Sequence, residues 1–192
     1  YKTQLRNVYK NYNRHLKIAS TLRDHIHANF SEQKQYDLFA NAVSSNPMVK
    51  VDVKDLPKIS VITSVYNGDE FIRPFLEDIT QQTIFDQCEL ILINANSPGN
   101  EQNVIDEYMA KYDNIVYKKL KKDPGIYGAW NKAIRVATGE YITNANLDDR
   151  HSPHFLETMA KALYTDPEVD MVYAHNLVTM VANETFKSNT AN

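Results

Sequence analysis

Short apolar runs rich in β-branched residues alternate with helical patterns through most of this 192-residue chain. Such alternation predicts βαβ units with parallel strands and right-handed crossovers. We therefore predict an α/β fold with a mostly parallel, twisted sheet flanked by helices. The predicted strands are residues 59–65, 89–93, 115–117, 141–145 and 169–173. The predicted helices are residues 71–82, 104–112, 128–137 and 155–164.

The first 46 residues have a different pattern, which predicts a helical appendage before the sheet. Apolar residues from Leu5 to Ile26 recur at helical spacing and indicate an amphipathic helix of about 25 residues. Ser31 can cap a second helix that ends near Val43.

Residues 47–57 predict a linker, because a Ser-Ser-Asn-Pro turn ends the second helix before them. The second domain then covers residues 58–192. We expect this domain to be truncated at its C-terminus.

Positive charge is concentrated at the start of the chain. Residues 1–30 contain six Lys/Arg and one Asp, whereas the whole chain has a net charge of −3. A basic amphipathic helix can lie on a membrane surface or pack on a protein neighbour. Its apolar face carries Tyr and Ala rather than Trp and Phe, which favours a protein neighbour. The overall charge gives no sign of a nucleic-acid partner, and we predict none.

Cys88 is the single cysteine, so no internal disulfide can form and a reducing compartment is expected. Its place at the mouth of an apolar strand is more typical of a core residue than of a nucleophile. No apolar run approaches the roughly 18 residues that span a bilayer. We therefore expect a cytoplasmic protein, either free or membrane-associated through residues 1–30.

Several common site motifs are missing from the sequence. The first predicted strand leads to Ser64-Val-Tyr-Asn-Gly68 rather than to G-x-G-x-x-G, and no Walker loop exists. No G-x-S-x-G elbow is present, and the six histidines do not cluster as a zinc site. These observations argue against a dinucleotide site, a P-loop and a serine hydrolase.

Polar residues stand where four of the predicted strands end, and two of them are carboxylates. Carboxyl ends of parallel strands meet at one edge, where open α/β sheets bind their ligands. Asp148 and Asp149 there suit a hard divalent cation, and such a cation suits a phosphorylated ligand. Asp-Asp before Ser-Pro can instead be turn and helix-cap chemistry. The candidate site residues at these strand ends are Ser64, Tyr66, Asn94, Asn96, Gly125, Asn131, Asn146, Asp148 and Asp149.

About residues 57–180 resemble the nucleotide-sugar half of family 2 glycosyltransferases, which have the Rossmann-like glycosyltransferase-A fold. Five segments carry the resemblance, in family order, and lead to a DxD-like motif at Asn146-Leu147-Asp148. These segments are Ile59–Gly68, Gln82-Thr83, Glu89–Ile93, Asp123–Ala133 and Ala137–Ile142.

The resemblance implies roles for residues that bind the nucleotide sugar. Ser64 and Tyr66 would line the base pocket. Asn94, with Asn96 two residues later, falls where the family has an Asp that contacts the uracil or ribose. The nucleotide would also be bordered by Gly125 and Asn131.

The resemblance also implies a cation. Asn146-Leu147-Asp148 occupies the DxD motif, whose last Asp is the family's metal ligand. Asp148, with Asp149 beside it, is therefore expected to bind Mn2+ or Mg2+.

Amides replace carboxylates at two points of the family pattern. Asn94-Ala95-Asn96 replaces the usual acidic pair, and Asn146 replaces the first Asp of DxD. An amide keeps an acceptor oxygen and adds a donor, but it neutralises no cation charge. Asn also suits turns, yet its recurrence at two strand ends favours a site.

Further side chains near this edge have two possible roles each. Arg150, His151 and Lys132 could reach a diphosphate or be solvated at the surface. Tyr127 and Trp130 could stack on a base or a sugar, and Trp130 could equally belong to the core.

The resemblance implies a metal-assisted, inverting transfer of a sugar from a nucleoside-diphosphate sugar. The expected nucleotide is UDP, and the expected acceptor is a hydroxyl of a glycan or another molecule. The family's catalytic base lies downstream of DxD, so we expect it outside this fragment and assign no catalytic residue. Two alternatives stay open: a nucleotide-sugar-binding module without catalysis, and a partner-docking domain whose N-terminal helices bind a protein.

Overall fold

The computed structural model describes residues 9–29, 34, 51–176, 178, 179, 181–185 and 188. The chain divides into two units, residues 1–50 and 51–192. In the first unit, helix α1 spans Tyr12–Asn29, within the predicted amphipathic helix. The second helix predicted near Ser31 lies outside the described residues, apart from residue 34. None of the helices in the described ranges has the length and hydropathy needed to cross a bilayer.

The second unit contains a four-stranded parallel sheet in the order β3-β2-β1-β4, which confirms the predicted α/β fold. The strands are β1 (Ile59–Val65), β2 (Cys88–Asn94), β3 (Ile115–Lys119) and β4 (Tyr141–Asn144). The helices are α2 (Ile72–Thr80), α3 (Glu101–Met109), α4 (Gly125–Ile134) and α5 (Phe155–Thr165). Short 3-10 turns cover Val53–Asp55 and Phe85–Gln87.

The predicted domain boundaries stay a prediction. The end of the predicted linker packs on the core of the second unit. Leu56 is buried in the core of the second unit. Val51 and Val53 are partly buried and pack against the same core.

The strand predicted over residues 169–173 is wrong, since these residues form no strand. Met171 and Tyr173 are 79% and 86% exposed. A β-branched run becomes a strand only where a neighbour pairs with its backbone and covers its side chains. In the described part of the chain, β4 pairs with β1 alone, so its other edge is open.

Both faces of the sheet are covered, which explains the nearly continuous apolar sequences of β1 and β2. Val61 and Leu90 face a large cluster that also includes apolar residues of α2, α3 and α5. Ile62 and Ile91 face the opposite cluster, where Ala129 of α4 packs on the sheet.

Cys88 lies in this core, as its position in the sequence predicts. Its thiol donates to the carbonyl oxygen of Ile84 at 3.2 Å. Burial raises the pKa of the thiol to about 12, so it stays protonated and is a poor nucleophile at neutral pH.

Glu89 is a buried carboxylate that joins the amino ends of β1 and β2 to the turn before β4. It accepts hydrogen bonds from Ser60 Oγ at 2.5 Å and from the Thr138 amide at 2.5 Å. Thr138 Oγ1 and Lys58 Nζ bond to its other oxygen at 2.9 and 3.0 Å. Burial alone would raise the pKa of Glu89, but the hydrogen bonds from Ser60, Thr138 and Lys58 lower it to about 2.

Replacing Glu89 by Gln should lower the free energy of unfolding by about 3 kcal/mol at pH 7. The folded pKa of Glu89 lies below its ordinary value of 4.5, so the carboxylate stabilises the fold fully above that pH. Its contribution is lost as the pH falls towards 2. Urea unfolding across this range should therefore show wild type and variant converging. The exposed neighbour Glu140, replaced by Gln, should change little, and parallel pH profiles for wild type and E89Q would contradict the assignment.

Gln82 and Thr83 link the end of α2 to the start of α5. The Gln82 Nε2 donates to the Ser152 carbonyl at 2.7 Å, and its Oε1 accepts from the Leu156 amide at 3.0 Å. The Thr83 amide donates to the Pro153 carbonyl at 2.9 Å. These bonds fix the chain that enters α5, and they give the Gln-Thr pair a structural role.

Replacing the buried Gln82 by Glu should destabilise the fold by about 3 kcal/mol at pH 7. The new carboxylate would face the carbonyl oxygens of Ser152 and Asp78, where the Gln82 amide now donates. The loss should shrink as the pH falls and the new side chain is protonated. Chemical unfolding at pH 7 and pH 5 measures both effects. The adjacent exposed Gln81 provides a matched Gln→Glu control, and equal losses at the two positions would refute the link.

Candidate functional site

The parallel register brings the ends of the strands to one edge of the sheet. Val65 of β1 pairs with Asn94 of β2, which pairs with Lys119 of β3. Strand β4 ends beside Ile62, where the Ala145 amide donates to the Ile62 carbonyl at 3.0 Å. The loops that follow the four strands therefore start along a common edge, as the sequence predicts.

A buried carboxylate, Glu101, ties the loop after β1 to the loop after β2. Its Oε1 accepts from the Gly68 amide at 2.7 Å and from Ser97 Oγ at 2.6 Å. Ser97 Oγ also accepts from the Asn67 amide at 2.8 Å. Burial opposes the charged form, but the bonds from Ser97 and Gly68 outweigh it and lower the pKa of Glu101.

The sequence did not point to Glu101, because the predicted helix starts at Val104 and leaves Glu101 in a loop. In the structure α3 begins at Glu101. The helix dipole favours an acidic residue in the first turn, so Glu101 could have indicated an earlier start of this helix.

Asn94 is buried, with 1% of its surface exposed. Its Oδ1 accepts from the Ser97 amide at 2.8 Å, so the side chain holds the loop after β2. Asn96 is exposed and has φ +61, in the left-handed region that Asn tolerates better than most residues. Asn94 therefore supports the loop from beneath, and Asn96 is the more accessible of the two.

Ser64 and Tyr66 lie at the carboxyl end of β1, where the sequence places them. Ser64 is half-buried and pairs with Ile93 in the sheet register. Tyr66 follows the strand and is 51% exposed, so its ring is available for contact.

The predicted Gly125–Asn131 segment forms most of α4. Gly125 begins the helix with φ +72, which favours glycine, and its amide donates to Asp123 Oδ1 at 2.7 Å. Asn131 is exposed. Trp130 packs against the cluster that contains Ile62, Ile91 and Ala129, which agrees with a place in the core. Tyr127 is exposed beside it, with the two ring centroids 5.7 Å apart.

The DxD-like segment alternates between the core and the surface. Leu147 is buried beneath Gly68, where an added Cβ would lie 2.5 Å from Leu147 Cδ1. Asp148 and Asp149, the next two residues, are exposed. Asn146 Nδ2 donates to Asp149 Oδ2 at 2.9 Å, so the amide that replaces the first Asp orients a neighbouring carboxylate.

Asp148 and Asp149 line a large cavity beside the open edge of the sheet. The cavity has a volume of about 960 Å³ and is also lined by β4, α5 and described residues between 170 and 185. The two carboxylates thus border a space large enough for a sugar-sized ligand.

The donor atoms of this segment fit a hard divalent cation that is shared with phosphate oxygens. Carboxylate oxygens are suitable ligands, and Mg2+ is usually bound by one or two carboxylates, water and substrate phosphates. In the described ranges, no group of three His, Cys, Asp or Glu side chains could hold a metal ion. A cation here would therefore need ligands from a bound phosphorylated molecule or from water.

Arg150 is hydrogen-bonded within the protein and is not simply solvated at the surface. Its Nε and Nη2 donate to the two oxygens of Asp78 at 2.5 and 2.7 Å. His151 is packed against the rings of Phe75 and Phe155, and burial lowers the pKa of its imidazole. Lys132 lies in the last turn of α4, far along the helix from Gly125.

Solved structures of glycosyltransferases share this fold. The mannosyltransferase PcManGT of Pyrobaculum calidifontis, solved with GDP-Man and Mn2+, is 23% identical with a TM-score of 0.57. The match covers 74% of this chain and 43% of that one. TarS 1-349 of S. aureus, solved with UDP-GlcNAc, is 23% identical with a TM-score of 0.52. That match covers 56% of this chain and 31% of TarS 1-349. These likenesses confirm the glycosyltransferase-A fold.

Similar sequences include a teichoic acid biosynthesis protein and a poly(ribitol-phosphate) glucosyltransferase. The minor teichoic acid biosynthesis protein GgaB of Bacillus subtilis is 39% identical over 92 residues, or 47% of this chain. The poly(ribitol-phosphate) beta-glucosyltransferase of Bacillus spizizenii is 33% identical over 94 residues, or 48% of this chain. The matches span only 10% and 15% of the lengths of these two relatives.

The family comparison covers most of the second unit. The model of Glycosyl transferase family 2 matches residues 60–189, which include the four strands, apart from the first residue of β1, and the DxD-like segment. This match confirms the resemblance on which the site residues were predicted. The chain belongs to glycosyl transferase family 2.

Proposed function

We propose that this chain binds the donor in a metal-assisted, inverting transfer of a sugar from a nucleoside-diphosphate sugar to an acceptor hydroxyl. The observation that carries the proposal is the exposed pair Asp148 and Asp149, which follows β4 at the sheet edge and borders the cavity. Membership of family 2 and the fold shared with glycosyltransferases support the same function.

Asp148 and Asp149 would hold the divalent cation, Mn2+ or Mg2+. Asn146 orients the Asp149 carboxylate through its Nδ2 and adds no charge of its own. When bound, the cation stabilises the negative charge that develops on the departing diphosphate. Because this charge is absent from the intact donor and develops as the bond to the sugar breaks, correct placement of the two carboxylates stabilises the transition state more than the bound donor.

The nucleotide would lie along the loops that follow β1, β2 and β3. Ser64, Tyr66 and Asn96 would contact the base and ribose, with Asn94 supporting Asn96 from beneath. Gly125 and Asn131 would border the nucleotide from α4. UDP is the nucleotide we propose. The neighbouring structures were solved with UDP-GlcNAc and with GDP-Man, so GDP is the first comparison.

The acceptor would be a hydroxyl of a glycan or of a related molecule, reached on the cavity side of Asp148. Inversion requires a base within hydrogen-bond reach of that hydroxyl. We assign this base to no described residue. For the chain as a whole we propose a cytoplasmic setting with a protein or membrane neighbour at residues 1–30. The buried, free thiol of Cys88 is consistent with a reducing compartment.

Replacing Asp148 by Asn should weaken Mn2+-dependent binding of UDP at least about 10-fold, because a metal ligand loses its charge. Isothermal titration calorimetry with UDP, with and without Mn2+, measures the effect. Asp86, exposed just before β2 and so at the opposite edge of the sheet, provides a matched Asp→Asn control.

The control variant should bind UDP like the wild type. The donor-site proposal fails if none of UDP, GDP and dTDP raises the melting temperature of the wild type in the presence of Mn2+. It also fails if D148N retains the full Mn2+ dependence.

A further inference from the structure

Asp78 of α2 and Arg150 form a two-pronged ion pair beside the predicted cation ligands. The distances are 2.5 Å from Arg150 Nε to Asp78 Oδ2 and 2.7 Å from Nη2 to Oδ1. Each side chain is 16% exposed, so water competes little with the contact. Paired parallel bonds between a guanidinium and a carboxylate fix orientation as well as distance.

The same carboxylate also binds the backbone. Asp78 Oδ2 accepts from the His151 amide at 3.0 Å, in addition to the bond from Arg150. One helix side chain therefore holds two successive residues of the loop after β4. Asp149 directly precedes them, so its backbone cannot shift far without breaking these bonds.

The loop has firm contacts on both sides of the two carboxylates. Before them, the Ala145 amide bonds to the sheet and Leu147 is buried beneath Gly68. After them, Asp78 holds Arg150 and His151. Asp148 and Asp149 lie between these anchors and are themselves exposed.

A third contact of Arg150 reaches the downstream chain. Its Nη1 donates to the Asn183 carbonyl at 3.1 Å. Asn183 Nδ2 in turn donates to the Glu70 carbonyl at 3.3 Å. Three guanidinium nitrogens are therefore occupied within the protein, which favours a supporting role for Arg150 over direct contact with a diphosphate.

We propose that Asp78 and Arg150 are positioning residues that hold Asp148 and Asp149 in the arrangement that binds the cation and diphosphate. This inference rests on the proposed function of Asp148 and Asp149. Neither Asp78 nor Arg150 touches the donor; both act through the backbone of the loop.

The test compares R150K and D78N with wild type. R150K keeps the charge but loses the planar fork, and D78N keeps the shape but loses the charge. Each should weaken Mn2+-dependent binding of UDP by about 10- to 100-fold, the usual cost of losing a contact that orients a metal ligand. Metal-free binding of UMP, which uses the base and ribose contacts, should stay within about twofold of wild type, since a 0.4 kcal/mol change is about a factor of two.

A matched control comes from the same helix. Arg73 of α2 pairs with Glu107 of α3 through its Nη2, which donates to both carboxylate oxygens at 3.1 and 2.9 Å. This pair is about half exposed and far from the loop in sequence. R73K should leave both affinities unchanged. The double variant R150K/D78N should lose less affinity than the two single losses combined, because both single variants disturb the same Asp78–Arg150 pair.

The outcomes separate the alternatives. Loss of UDP binding in R150K but not in D78N would mean that Arg150 touches the diphosphate directly, and it would overturn the inference. Equal losses for UDP and UMP would indicate a general structural role and would also overturn it. Unchanged UDP affinity in both variants would overturn the inference as well. If wild type binds UDP with Mn2+ no more tightly than it binds UMP without metal, the proposed function fails before the variants are compared.

Discussion

The packing of α2 against the sheet is the interaction on which the rest of the site depends. Four apolar side chains of this helix are buried in the main core. Asp78 in the last turn of this helix and Gln82 just after it bind the segment from Arg150 to Leu156. The loop that carries Asp148 and Asp149 is therefore attached to a core element, although the loop itself is exposed. The packed core therefore limits the movement of the exposed Asp148 and Asp149.

Asparagine in place of aspartate has a separate structural meaning at each position. Asn94 accepts from a backbone amide, which a carboxylate could also do, but the amide adds no second charge near buried Glu101. Asn146 gives a donor to Asp149, which another carboxylate could not do at neutral pH. Asn96 takes a positive φ. The three asparagines thus supply local hydrogen bonds and a turn at this edge without adding negative charge.

The sequence predicted those parts of the fold that depend on local periodicity. The apolar runs of β1 and β2 and the amphipathic pattern of α2 are each readable within about ten residues. The strand predicted over residues 169–173 was wrong because pairing with a neighbour is not encoded in the run itself. The Asp78–Arg150 pair and the Glu101 contacts join residues far apart in sequence, so no spacing rule reveals them. The position of the two exposed carboxylates was predictable, whereas the groups that hold them in place were not.

The bond from the His151 amide to Asp78 lets hydrogen exchange measure the stability of the loop after β4. An amide proton exchanges with solvent only when its hydrogen bond opens, so protection at His151 measures how often the loop leaves the helix. Amides deep in β1 and β2 would report the opening of the whole unit instead. The difference between the two gives the free energy that separates local release of the loop from global unfolding. The stability of this loop can therefore be measured without any ligand.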